Sequence, residues 1–151
     1  MELHVEDHPE PIIELERVFR IHQASDLLRA HARYAATFDA TGDTEAADWE
    51  REQIGRTLKQ VLTTEDTSAG TLNSVAWYCA TADIYLEESL EAAQRATELE
   101  PENSGILDTL AESYFRLGMV DEAVAAIDRA LAIDPEDTYL QGQRDRFLGK
   151  N

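Results

Sequence analysis

The chain has 151 residues and carries 31 Asp and Glu against 13 Lys and Arg, a formal net charge of -18. A chain this acidic repels phosphate backbones and anionic lipid surfaces, which argues against nucleic acid or a membrane as a partner. Its 43% hydrophobic residues suffice for a buried core, and 7 Gly with 4 Pro are too few for a collagen-like or low-complexity protein. The acidity fits a solvated surface, adaptation to high salt, or attraction for a basic partner.

Cysteine content and hydropathy bear on where the protein resides. Cys79 is the single cysteine, so an internal disulfide is excluded, and its apolar surroundings from Val75 to Ala80 predict a buried thiol. No apolar run approaches the roughly 18 residues of a membrane span, and residues 1–7 are too acidic for a signal peptide. We expect a cytoplasmic protein, an expectation that an upstream segment would change.

The predicted elements are all helices, because Ala, Leu, Glu, Arg and Gln dominate between the few Gly and Pro. The first follows Pro11, a favoured residue at a helix start. In chain order we predict helices at 11–22, 25–40, 44–62, 69–81, 87–99, 104–117, 120–132 and 137–148. The last has a polar face, as a capping helix should.

A repeat organises the second half of the chain. Residues 89–102 recur as residues 123–136 with a shift of 34, so Pro101 and Pro135 occupy the same position in two copies of one unit. Upstream the shift becomes 35, because Leu72, Val75 and Ala76 match Leu107, Leu110 and Ala111. One extra residue is therefore expected in the turn near residues 83–87, and two helical hairpins are expected in tandem.

This unit resembles the tetratricopeptide repeat (TPR), a helix-turn-helix with small residues where its helices cross and a proline after the second. The last unit carries the pattern most fully, at Leu107, Leu110, Ala111, Tyr114, Gly118, Ala123, Ile127, Ala130 and Pro135. The resemblance implies an all-α, superhelical stack of antiparallel hairpins. One hairpin cannot bury its apolar stripe alone, so neighbouring hairpins complete the core.

A weaker unit precedes these two, with Tyr34, Ala35, Phe38, Gly42, Ala47 and Ile54 near the expected spacing. We therefore predict an N-terminal loop and helix at 1–23 and a TPR-like domain at 24–151. The predicted units of this domain are 24–64, 69–102 and 103–136, followed by a capping helix at 137–148.

Residues 1–22 do not belong to the repeat. Their Val-Glu-Asp-His-Pro-Glu-Pro core, residues 5–11, resembles the end of an Ntn-hydrolase-like family known as domain of unknown function 1028. The resemblance implies that a catalytic part precedes this chain, since the nucleophile of such enzymes is an N-terminal Thr, Ser or Cys. The alternative is a simple loop that leads into an N-terminal helix.

The sequence contains no pattern that indicates catalysis or a cofactor. Residues 39–50 alternate carboxylates like a calcium loop, but Gly42 falls at the fourth position instead of the sixth. His22 and His31 have no His or Cys partners at ligand spacing. Glu87 and Glu88 are better explained as charges in the first turn of a helix than as an acid-base pair. We expect no metal, no cofactor and no enzymatic activity.

The TPR resemblance implies a concave groove lined by the first helix of each hairpin. By register, the predicted partner-binding residues are Arg29, Asn73, Trp77, Asp108, Glu112, Phe115 and Arg116. Trp77 could anchor a peptide or helix, or could instead pack against a neighbouring repeat or the N-terminal helix. The acidic groove favours a basic or apolar protein segment over a terminal carboxylate.

Two functions follow from these observations. The leading one is a scaffold that binds a peptide or partner domain. A homo-oligomer is also compatible with the sequence. The alternative is a structural or regulatory appendage of a larger Ntn-hydrolase-like enzyme.

Overall fold

The computed structural model describes residues 23–150, and these form seven α-helices without a strand. In chain order they are α1 (Ala24–Thr41), α2 (Thr44–Thr63), α3 (Ala69–Thr81), α4 (Leu86–Leu99), α5 (Ser104–Arg116), α6 (Val120–Ile133) and α7 (Thr138–Phe147). The helices predicted from residue 25 onward are confirmed, and their observed ends agree closely with the predicted ones. The helix predicted at 11–22 lies outside the described residues.

The helices form an all-α stack of antiparallel hairpins, as predicted. The hairpins pair α1 with α2, α3 with α4, and α5 with α6. The first helices α1, α3 and α5 contact one another in sequence, α2 packs on α4, and α7 packs on α6. The described chain therefore presents one face made of first helices. The division of the chain into an N-terminal segment and a repeat domain stays a prediction.

The local sequence explains where the helices α3, α5 and α7 begin. Ser68, Asn103 and Asp137 each precede one of them, and their side-chain oxygens accept hydrogen bonds from backbone N–H groups of its first turn. The three caps occupy matching positions in successive units, so the capping chemistry follows the repeat. Pro101 and Pro135 follow the second helices, because the residue before a proline disfavours helical backbone.

The predicted extra residue lies in the turn of the second hairpin. Residues 82–85 join α3 to α4, whereas the shorter segment 117–119 joins α5 to α6. The longer turn holds Asp83 and Tyr85 at positive φ, while the shorter one places Gly118 there. Tyr85 thereby turns its ring back onto α2, where its hydroxyl donates to the Arg51 carbonyl at 3.1 Å.

One continuous core runs through the three hairpins. Ala111, Ala123 and Ala130 are fully buried where α5 crosses α6, as the small residues of the repeat predict. Ser89, which stands where Ala123 lies in the next unit, is also fully buried. Its hydroxyl donates to the Ala76 carbonyl at 2.8 Å. The serine at this position therefore has a hydrogen-bond partner for its buried hydroxyl.

Cys79 is fully buried in this core, which confirms the expectation for the lone thiol. Burial raises its pKa to about 12, and the negative charge of Glu88 adds to the shift. The thiolate is therefore disfavoured, and Cys79 acts as a small apolar side chain.

Candidate functional site

The face formed by α1, α3 and α5 carries all seven residues predicted to bind a partner. Arg29 lies on α1, Asn73 and Trp77 lie on α3, and the other four, Asp108, Glu112, Phe115 and Arg116, lie on α5. In stacked helical repeats the small rotation between units curves such a face into an extended concave surface. We refer to this surface as the first-helix groove.

Arg29 bridges the first two hairpins across this face. Its Nε donates to the hydroxyl of Tyr78 at 2.8 Å, and its guanidinium carbon lies 5.7 Å from the centre of the Tyr78 ring. The bond joins α1 to α3 over 49 residues of sequence. The sequence register did not predict the contact between Arg29 and Tyr78, because this contact depends on how the hairpins stack.

Trp77 is the large aromatic residue at the centre of the groove. Its neighbour Tyr78 packs against the hydrophobic core. Trp77 is half-buried, and it is not one of the described side chains that pack against this core. Val75, Ala76 and Cys79 fill the core side of α3 and are fully buried. A half-buried indole outside the core is the kind of surface that anchors a binding partner.

Two buried side-chain oxygens, one on α3 and one on α5, lack hydrogen-bond partners within the described residues. The Oδ1 atoms of Asn73 and Asp108 are both buried, and neither accepts a hydrogen bond. Asn73 lies one helical turn before Trp77, and Asp108 occupies the matching position on α5, one repeat later. A buried acceptor without a partner carries a penalty of about 1–3 kcal/mol.

The carboxyl group of Asp108 is electrostatically unusual. Burial raises its pKa from 3.8 to about 6, and the nearby charge of Glu112 acts in the same direction. The Tyr139 hydroxyl and the positive charge of Arg146 oppose the shift in part. The group therefore changes charge just below neutral pH, and it would gain from a cationic or N–H donor.

Three of the predicted groove residues are engaged inside the chain instead. Glu112 is 2% exposed, and its carboxylate accepts hydrogen bonds from Arg116 Nε at 2.7 Å and from Arg146 on α7. The Phe115 ring lies 4.7 Å from the Phe147 ring, centre to centre. These contacts join α5 to α7, and the assignment of Glu112, Phe115 and Arg116 to a partner-binding surface stays a prediction.

The residues of α7 that make these contacts were not predicted from the sequence. Arg146 follows Glu112 by one repeat length, so α7 stands where the first helix of a further unit would lie. The guanidinium of Arg146 also lies 4.8 Å from the centres of both the Phe115 and Phe147 rings. The repeat spacing was the signal that could have revealed the pairing.

Among residues 23–150, no group of three or more His, Cys, Asp or Glu residues is arranged to hold a metal ion. None of the seven helices combines the length and the apolar character needed to cross a bilayer.

The described residues form an all-α stack of helical hairpins that is consistent with the tetratricopeptide repeat fold. The sequence model of the Tetratricopeptide repeat family matches residues 86–143, from the start of α4 into α7. Comparison with curated proteins gave no match. The Ntn-hydrolase-like resemblance of residues 1–22 gains no support from these comparisons, and it falls outside the described residues.

Proposed function

We propose that this protein is a scaffold that binds a peptide or partner helix in its first-helix groove and performs no chemistry itself. Tetratricopeptide repeats generally mediate protein–protein interaction, and all-helical folds of this type are typically non-enzymatic. The proposal rests above all on Trp77, a half-buried indole outside the core, with partnerless buried oxygens of Asn73 and Asp108 at matching positions on α3 and α5.

The chemistry of these residues favours a particular kind of ligand. Trp77 offers a broad apolar surface for one large side chain of the partner. The oxygens of Asn73 and Asp108 call for N–H donors, which a lysine, an arginine or a free backbone amide supplies. A terminal carboxylate would be repelled by Asp108, so we propose a basic or mainly apolar internal segment as the ligand.

The test begins with a library of random peptides displayed on phage and selected on the full chain. Each selected peptide is then titrated against the wild type, Trp77→Ala and Leu99→Ala. Leu99→Ala is the matched control, because it removes an exposed apolar side chain on α4, outside the groove. Loss of a central aromatic anchor removes about 2 kcal/mol or more of binding energy, so we expect Trp77→Ala to weaken binding roughly 30-fold.

Circular dichroism melting curves check that both variants keep the fold. Binding that persists unchanged in folded Trp77→Ala, or that falls equally in both variants, would show that the groove is not the binding surface.

A further inference from the structure

A second surface with binding chemistry lies away from the groove, where α1 ends and α2 begins. An open pocket of about 440 Å³ is lined there by Phe38, Asp43, Glu45, Ala46, Trp49 and Glu50. We refer to it as the α1–α2 pocket. Trp49 is 55% exposed, which is unusual for the largest apolar side chain of a domain. The pocket thus combines two aromatic rings with three carboxyl groups.

The side chains of the pocket are held in place from beneath. Glu50 is buried, and its Oε2 lies 2.5 Å from Nδ1 of His31 on α1. The His31 ring meets the Trp49 ring nearly edge to face, with 6.2 Å between their centres. The carboxyl group of Asp43 accepts the Ala46 N–H at 3.1 Å. A prearranged pocket of this kind binds with a smaller loss of side-chain entropy.

The charges of the pocket specify what it can accept. Glu45 is exposed and belongs to none of the ion pairs of the described residues, and no Lys or Arg of that range lines the pocket. A cation that enters this pocket comes close to two aromatic rings, whose faces attract cations, and to nearby carboxylates. The carboxyl groups of Asp43, Glu45 and Glu50 would repel an anion.

The same protein already uses this combination at the other end of its stack. There the guanidinium of Arg146 lies 4.8 Å from the centres of both the Phe115 and Phe147 rings, while it donates to the Glu112 carboxylate. Two aromatic rings and a carboxylate therefore surround an arginine. The α1–α2 pocket presents two aromatic rings and carboxylates with no arginine from the described residues between them.

We propose that the α1–α2 pocket is a second docking site, which receives an arginine side chain from a basic segment of a partner protein. Arginine fits better than lysine, because its planar guanidinium can stack on an indole and still donate to carboxylates at its edge. The site lies outside the first-helix groove, so it adds a second contact to any partner held there.

Neither a second copy of this chain nor its own N-terminal segment suits the pocket as well. A second copy brings a net charge of -18, which opposes close approach to an acidic pocket. Residues 1–22 carry six Asp and Glu against two arginines, Arg17 and Arg20, so they too are acidic. Charge complementarity therefore points to a basic partner.

The test uses the full chain and a fluorescein-labelled peptide of sequence Gly-Ala-Arg-Ala-Arg-Ala-Gly, with a matched peptide in which citrulline replaces arginine. Citrulline keeps the shape of the side chain and removes its charge. At near-physiological salt we expect the arginine peptide to shift the indole N–H signal of Trp49 in nuclear magnetic resonance spectra. The Trp77 signal should stay in place, and the citrulline peptide should bind at least about tenfold more weakly.

Two pairs of variants separate the pocket from the general acidity of the chain. Trp49→Ala should weaken binding of the arginine peptide about tenfold, whereas Tyr34→Ala, an equally exposed aromatic residue outside the pocket lining, should not. Glu45→Gln should weaken it several-fold, and Glu98→Gln, the same charge change on exposed α4 surface, less than about twofold.

Several results would overturn the proposal. Equal binding of the two peptides, or equal effects within either pair of variants, would show that the arginine peptide binds by nonspecific charge attraction and not in the pocket. A dimer in sedimentation equilibrium that Trp49→Ala dissociates would assign the pocket to a second copy. Tighter peptide binding by Arg17→Gln/Arg20→Gln would assign it to the N-terminal segment. None of these outcomes affects the groove proposal, because that proposal is tested by the effect of Trp77→Ala on peptide binding.

Discussion

Arg146 on α7 donates a hydrogen bond to the buried carboxylate of Glu112 on α5, which lies one repeat length earlier in the chain. Glu112 is 2% exposed, so its charge depends on Arg146 and Arg116 for compensation. The same guanidinium lies over the rings of Phe115 and Phe147. One side chain thus attaches the last helix to α5 through an ion pair with Glu112 and a cation–π contact with Phe115.

Removing the side chain of Arg146 should therefore destabilise the folded protein. Arg146→Ala leaves the buried Glu112 carboxylate with one cationic partner, so we expect the free energy of unfolding to fall by about 2–4 kcal/mol. The control is Arg144→Ala on the same helix, whose partner Asp128 is about half exposed, so its loss should change stability far less. Urea denaturation followed by circular dichroism measures both. Equal losses would mean that the buried pair does not hold α7 in place.

Gly55 should not tolerate a side chain. It lies in α2 beneath the ring of Tyr85, and an added Cβ would clash with that ring. Gly55→Ala should lower the free energy of unfolding by about 1–2 kcal/mol through overpacking, even though alanine is the better helix former. At Gly142 in α7 an added Cβ meets no atom within 4 Å, so Gly142→Ala should stabilise the protein by about 0.5–1 kcal/mol.

Opposite signs in these two glycine variants, measured by urea denaturation, would confirm that Tyr85 packs onto α2. A stabilising effect of both would show that the ring moves aside freely.

Asp108 should make stability depend on pH between about 6 and 4. Its pKa in the folded protein is raised to about 6 from 3.8, so the folded state binds a proton before the unfolded state does as the pH falls. This carboxyl group consequently destabilises the fold above about pH 6, and the penalty disappears as the pH falls toward about 4. Asp108→Asn should stabilise the protein by about 1–2 kcal/mol at about pH 7.5 and by markedly less at about pH 4.5.

The measurement is urea denaturation of both proteins at the two pH values, with Asp121→Asn, an exposed carboxylate in the first turn of α6, as the control. A gain from Asp108→Asn that is the same at both pH values would contradict the raised pKa.

The amino-acid sequence determined the helices and their pairing, because these depend on interactions between residues close together in the chain. The capping residues Asn103 and Asp137, the stops before Pro101 and Pro135, and the small residues at the helix crossings all recur with the repeat. Even the extra residue before Tyr85 could be predicted from the change of spacing from 34 to 35. Local backbone preferences and one apolar stripe per helix were sufficient for this level of structure.

The tertiary structure decided which residues of the predicted groove make contacts within the chain. Register placed Trp77 and Phe115 on the same face, but Phe115 packs against Phe147 of α7 whereas Trp77 stays half-buried outside the core. The α1–α2 pocket likewise needs His31 on α1 and Trp49 on α2 to meet across a hairpin. Such contacts depend on how side chains from separate helices meet in space, and the periodicity of a single helix carries no information about that.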